Sequence, residues 1–199
     1  MNETFPAGRY EFRIFGDDLS DIAERIINRC DASTLLLKSV AEDRYIISPG
    51  NEAHIVKIRD HTLDVKQLRQ RNGNLEQWQP LFKHPFPLPR TFIADELFPL
   101  LHAKEPPLHD GIYSETAFLD LLAETTELQI VTVTKERRRY SVGGISCDIA
   151  HVSMGERRLD SICCEGDDPD AIEIFIETIG IEELPNRNYP SQIRAMTTP

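Results

Sequence analysis

The chain has 199 residues, of which 40% are hydrophobic and 28% charged, with a formal net charge of −11. This is the composition of one folded domain and not of a disordered chain, and no run of about 18 apolar residues exists to span a membrane as a helix. The globally acidic balance excludes general nucleic-acid binding, which needs a basic footprint, but leaves room for a local basic pocket. The start, MNETFPAGRY, lacks the basic-then-apolar pattern of a secretory signal. Cys30, Cys147, Cys163 and Cys164 form no C-x-x-C pair, so they read as reduced core thiols of a cytoplasmic protein.

In chain order, Arg9 to Phe15 alternates: Tyr10, Phe12 and Ile14 share one face, and Arg9, Glu11 and Arg13 the other. Asp17 to Cys30 reads as a helix on the spacing of Leu19, Ile22, Ile26 and Cys30, capped by Asp17 or Asp18. A strand about Ser39 to Ser48 ends at Pro49-Gly50. Ile55–Arg59 and Leu63–Leu68 flank Asp60-His61 as a hairpin, and Leu75 to Phe82 follows an Asn72-Gly73-Asn74 turn. Pro85, Pro87 and Pro89 forbid a continued central strand. Residues 91–126 read as two helices about a proline-rich loop, the second capped by Ser114. Strands at Leu128–Tyr140, Ile145–Val152 and Arg158–Glu165 precede a final helix capped by Asp167 or Asp168 and ended by Gly180. Seven or eight strands joined by hairpins imply an α+β protein with an antiparallel sheet that can curl and close.

The polar faces carry the functional signal. Lys57 and Arg59 share a face, as do Asp64 and Lys66 on the neighbouring strand, and again Lys135, Arg137 and Arg139. Two readings compete: a solvated outer face, the default for alternating antiparallel strands, or the polar inner wall of a barrel wide enough for a ligand. Cations crowded on one curled wall repel each other and call for an anion.

The series Glu11-Phe12-Arg13, Lys57-Ile58-Arg59, Leu63-Asp64-Val65-Lys66, Lys135-Glu136-Arg137, Cys163-Cys164-Glu165 and Asn186-Arg187-Asn188-Tyr189 resembles the CYTH, or triphosphate tunnel metalloenzyme, superfamily over nearly the whole chain. The resemblance implies an eight-stranded antiparallel β tunnel with flanking helices. It further implies one domain over residues 1–199, with a helical insertion at about 89–126. Arg13, Lys57, Arg59, Lys66, Lys135 and Arg137 would contact phosphate, and Glu11 and Glu165 would be the catalytic carboxylates that hold Mg²⁺ or Mn²⁺. The ligand would be tripolyphosphate, a nucleoside triphosphate or a similar phosphorylated molecule. The family's E-x-E-x-K reads Glu11-x-Arg13-x-Phe15 here, and its late E-x-E reads Cys163-x-Glu165. Two metal carboxylates are thus replaced, with Asp148 or Asp160 as candidate substitutes.

Three functions follow from this pattern: a metal-dependent triphosphatase or nucleotidyl cyclase, a phosphate-binding module without turnover, and an interaction protein with a degenerate tunnel. The single Trp78 reads as packing, and neither a P-loop nor a nucleophile elbow is present.

Overall fold

The computed structural model describes residues 7–30 and 35–197. Its strands are β1 (Arg9–Gly16), β2 (Leu35–Ile47), β3 (His54–Arg59), β4 (Thr62–Asn72), β5 (Leu75–Pro85), the short β6 (Leu88–Pro89) and β7 (Ile112–Tyr113), β8 (Gln129–Val142), β9 (Ile145–Met154) and β10 (Arg157–Gly166). Eight of them close into an antiparallel barrel in the order β1-β10-β9-β8-β2-β3-β4-β5, while β6 and β7 pair with each other outside it. The alternation of the sequence becomes an inside and an outside, because successive side chains of a strand point to opposite faces.

Two helical layers cover the outer face. Tyr10, Phe12 and Ile14 of β1 pack with Ile149 and Ile162 beneath α1 (Ser20–Ile27). Ile172, Phe175 and Ile176 of a later helix cover the same patch. On the opposite side Ile46, Val56, Ile58, Leu63 and Val65 pack against the helical segment between β5 and β8. That segment contains α2 (Arg90–Phe92), a π turn at Ile93–Leu97, α3 (Phe98–Leu101) and α4 (Glu115–Ala123), with Leu97, Leu101, Phe118 and Leu122 fully buried. Burying a side chain of this size contributes about 1.5–3 kcal/mol. This segment is therefore held to the barrel by its apolar stripe, as its spacing predicts. Ser114 caps α4 by accepting from the Ala117 amide at 3.2 Å.

The expected elements stand, with differences at their ends. The first helix is shorter than Asp17–Cys30, and Leu19, not an aspartate, occupies its N-cap. The Leu19 amide is taken by the Asp160 carboxylate at 3.0 Å, which fixes the entry to the helix from across the sheet. Asp60 and His61 both adopt positive φ, the geometry a two-residue hairpin needs. β5 runs past Pro80 to Pro85, three residues beyond the expected end. This is tolerated because β5 pairs with β1 only through Glu76, Gln77 and Trp78, so the prolines lie where no ladder bond to β1 is required. The carboxylate of Asp168 caps α5 (Pro169–Thr178), accepting from the Asp170 and Ala171 amides, and Gly180 follows it at φ +67°. That helix is not the last. A further one, α6 (Tyr189–Thr197), completes the described chain. No described helix is long and apolar enough to cross a membrane.

Candidate functional site

The inner face of the barrel changes character along each strand. In β3 it reads Ile55, Lys57, Arg59; in β4, Leu68, Lys66, Asp64; in β2, Ile47, Tyr45, Asp43; in β8, Val133, Lys135, Arg137, Arg139. The first-named half is apolar and is filled by α6. Tyr189 and Ile193 pack there with Tyr45, Ile47, Ile55, Trp78, Val133, Val152 and Met154. The Tyr189 ring stacks on Tyr45 at 5.1–5.3 Å from it and from Phe15, edge-on to the latter. The segment before α6 adds to β1 like a short strand: the Arg13 amide donates to Asn186 Oδ1 and the Arg187 amide donates to the Arg13 carbonyl, both at 2.8 Å. One end of the barrel is thereby plugged.

The other half is a cavity of about 250 Å³. Eight Lys and Arg side chains line it: Arg13, Lys57, Arg59, Lys66, Lys83, Lys135, Arg137 and Arg139. All six cations expected at the site are among them, and Glu11 and Glu165 line it too. The polar face is thus the inner wall of the closed barrel, not a solvated outer one. Four carboxylates, Glu11, Asp64, Asp148 and Glu165, line the same space, so the cations are only partly compensated.

The compensation is organised in clusters. Asp43, with no side-chain exposure, is gripped by Arg59 through two nitrogens, by Lys135 at 2.6 Å and by Lys57 at 3.7 Å. Lys57 also reaches Asp64 at 3.5 Å. Asp148 takes both arms of Arg139, at 2.6 and 2.8 Å, and Arg137 at 3.4 Å. Glu11 pairs with Lys66 at 2.7 Å and with Arg13 at 3.7 Å. Glu165 pairs with Arg9 at 2.8 Å. The Lys135 ammonium lies 3.6 Å from the centre of the Tyr189 ring, and the Arg13 guanidinium lies 4.8 Å from it. A ring face is a weak substitute for a counter-anion.

The titration of these groups follows from burial and neighbours. Burial pushes Asp43 up, but Arg59, Lys57 and Lys135 outweigh it and hold the carboxyl far below the usual range. For Lys135 burial wins: with Lys57 beside it, the ammonium is held well below the usual lysine range despite Asp43. Lys57 is lowered for the same reason. Burial alone would raise Glu11, yet Lys66 and Arg13 bring it from 4.5 to about 2. A depressed carboxyl stabilises the fold above its unfolded pKa and loses that contribution as pH falls through the folded one. For Glu11 this is about 3 kcal/mol, lost between pH 4.5 and about 2. Lys66→Met should therefore shift the acid-unfolding midpoint, followed by circular dichroism, to higher pH. An unmoved midpoint would show that the pair contributes nothing.

Of the two candidate substitute carboxylates, Asp148 faces the cavity, whereas Asp160 is outside, bonded to His151 Nδ1 at 2.7 Å. Glu11 and Glu165 face each other across β1 and β10. Cys163 stands two residues before Glu165, where the family has a carboxylate, and its buried thiol is held well above the usual range. Each cavity carboxylate is already neutralised by Lys or Arg, apart from one Asp64 oxygen, which is buried without a partner. Among the described residues no three His, Cys, Asp or Glu side chains come together as ligands for a metal ion. The excess of Lys and Arg over carboxylates on this wall fits an anion.

Asp43, Lys83 and the plugging Tyr189 were not among the expected site residues. Asp43 was readable, since Asp43, Tyr45 and Ile47 alternate, but Glu42 and Arg44 on either side mask it.

No family model and no curated protein matches the chain. Among solved structures it is similar to a conserved hypothetical protein of Pyrococcus furiosus, with 18% identity over 90% of this chain and 98% of that one and a TM-score of 0.50. It is also similar to the Hippeastrum protein HpAC1, for which a dominant triphosphatase activity is described, with 12% identity over 96% of this chain and 97% of that one and a TM-score of 0.51. By fold the chain is thus a closed eight-stranded antiparallel barrel shared with these two proteins, the architecture that its resemblance to the CYTH superfamily implies.

Proposed function

We propose that the protein binds a polyphosphate-containing anion in the charged half of its barrel. One observation carries this reading: eight cationic side chains from five strands converge on one half-buried cavity with too few carboxylates to balance them. Inside a cavity of lowered dielectric such charges act on a guest far more strongly than the distant acidic surface does. Lys66, Arg137 and Arg139, each partly exposed, take the outer phosphate groups. Arg13, Lys57 and Lys135 take the innermost one. The triphosphatase activity described for the Hippeastrum protein of the same fold supports this ligand class. In this reading residues 1–199 act as one domain, with the insertion as its side wall.

Arg13 stands where the family has a carboxylate, and it supplies positive charge directly. Binding therefore needs no divalent ion. Tripolyphosphate should raise the melting temperature equally with EDTA and with Mg²⁺. Stabilisation confined to the Mg²⁺ sample, or seen with no polyanion, would remove the proposal.

Hydrolysis of the bound chain with Mg²⁺ or Mn²⁺ is a second reading. It is favoured by the opposition of Glu11 and Glu165 across β1 and β10. Phosphate release from tripolyphosphate that depends on the metal and is lost in Glu165→Gln would establish it.

The buried lysines add a pH signature. An anion beside Lys135 stabilises its protonated form and raises its depressed pKa, so binding takes up protons. Affinity should rise as pH falls through the range where Lys135 titrates. Calorimetry in buffers of different ionisation enthalpy measures the uptake directly, and proton release would contradict the placement of Lys135.

A further inference from the structure

We infer that the chain forms a two-fold dimer, in which the end of β2 that projects past the barrel rim pairs with the same stretch of a second copy. The barrel is closed between β2 and β3 by the pairs Arg44–Ile58 and Tyr45–Lys57. β3 then turns into β4 at Asp60 and His61. β2 and β8 extend together beyond that turn, paired from Glu42–Thr134 out to Leu35–Tyr140. This stretch of β2 therefore has β8 on one side and, among the described residues, no strand on the other. Its free N–H and C=O groups are a template for one more strand.

The side chains agree with such an addition. Asp43, Tyr45 and Ile47 face the barrel interior, so Glu42, Val40 and Lys38 stand on the outer face. Four of the six exposed large apolar side chains among the described residues cluster here: Leu36, Leu37 and Val40 on β2, at 61%, 37% and 73% exposure, and Ile112 in the groove beside it. An edge kept only in solvent would carry charge at these positions.

The occupant follows from the charge pattern, which is complementary to itself. With Val40 paired to its own copy on the two-fold axis, Lys38 lies opposite the partner's Glu42 and Glu42 opposite the partner's Lys38, both on the outer face. Lys38 is exposed, and Glu42 is engaged only by Arg44 at 3.5 Å, a residue that Glu115 already holds at 2.6 Å. A foreign strand without that carboxylate leaves Lys38 unpaired, which gives the edge its selectivity. Beyond Glu42 the β3–β4 turn blocks further pairing. The bulge between Leu35 and Leu37 bends the strand at this point and carries the partner's Leu36 over the outer side of the turn, beside His61. There an apolar groove of about 860 Å³ opens, walled by Phe86, Pro87, Ile112 and Leu119. Each copy thus offers a leucine that the other can cover. The dimer also braces the cation wall, because Ala41 and Ser39 of this stretch pair with Lys135 and Arg137 on β8.

Sedimentation equilibrium of the full chain over a micromolar concentration series tests this. The parent protein should reach a mass twice that of its 22.7 kDa chain. Val40→Lys, which sets like charges face to face on the axis, should remain monomeric while keeping the parent's circular dichroism spectrum. Lys38→Glu and Glu42→Lys should each weaken the dimer about tenfold, and the double variant should restore it. A parent protein that stays monomeric would overturn the inference and leave the edge to another protein's strand. A dimer that survives Val40→Lys, or a double variant as weak as the single ones, would overturn it as well. None of these outcomes bears on anion binding in the barrel.

Discussion

Asp43→Ala should lower the melting temperature by roughly 6–20 °C, because removing one member of a buried ion cluster costs about 3–5 kcal/mol in a domain of this size. Asp43 has no exposed side-chain surface and carries the charge of three cations, Arg59, Lys135 and Lys57. Without it, two buried lysines already lowered by burial face each other with only Asp64 and aromatic rings for compensation. The variant should also respond more to a polyanion than the unmodified protein does, since the guest replaces the missing carboxylate. Thermal melts with and without tripolyphosphate read both effects. A melting temperature unchanged by the substitution would mean that the cluster contributes little.

Arg137→Ala is the complementary experiment, with its effect on binding instead of folding. Arg137 shares Asp148 with Arg139, which holds that carboxylate through both nitrogens, so the loss leaves no buried charge unpaired. The melting temperature should move by a few degrees at most, about what a weak ion pair contributes. Affinity for tripolyphosphate should fall about 10–100-fold, the value of one charge-assisted hydrogen bond of about 1.5–3 kcal/mol. Arg59→Ala is a less clean probe, because Arg59 also holds Asp43 and its removal mixes stability with binding. Binding by Arg137→Ala equal to that of the parent protein would place the anion elsewhere.

Most of the barrel was legible because alternation is a local property: each polar and apolar face of β1, β3, β4 and β8 reads from five or six residues. Which face turns inward is not local. It depends on closure, and closure depends on eight strands meeting in register, which no single segment records. The cations alone leave both placements open, and their concentration in one half of the inner wall became visible only once the strands were aligned. α6 was missed because its start, Tyr189-Pro190-Ser191-Gln192, has weak helical propensity and few apolar positions. It is helical because Tyr189 and Ile193 find an apolar socket inside the barrel, a tertiary cause. Asp43 was hidden for a related reason: in Glu42-Asp43-Arg44 three charges are adjacent, and only the middle one points inward.

Among the described residues, Tyr189 and α6 form a stopper that fills the far half of the barrel. A linear guest bound as proposed would not thread through; it would be taken up by a terminus, to a depth set by where Arg13 and Lys135 meet the tyrosine rings. Such a dead-end socket would measure chain ends instead of chain length, so a long polymer and a short one would offer it the same few terminal groups.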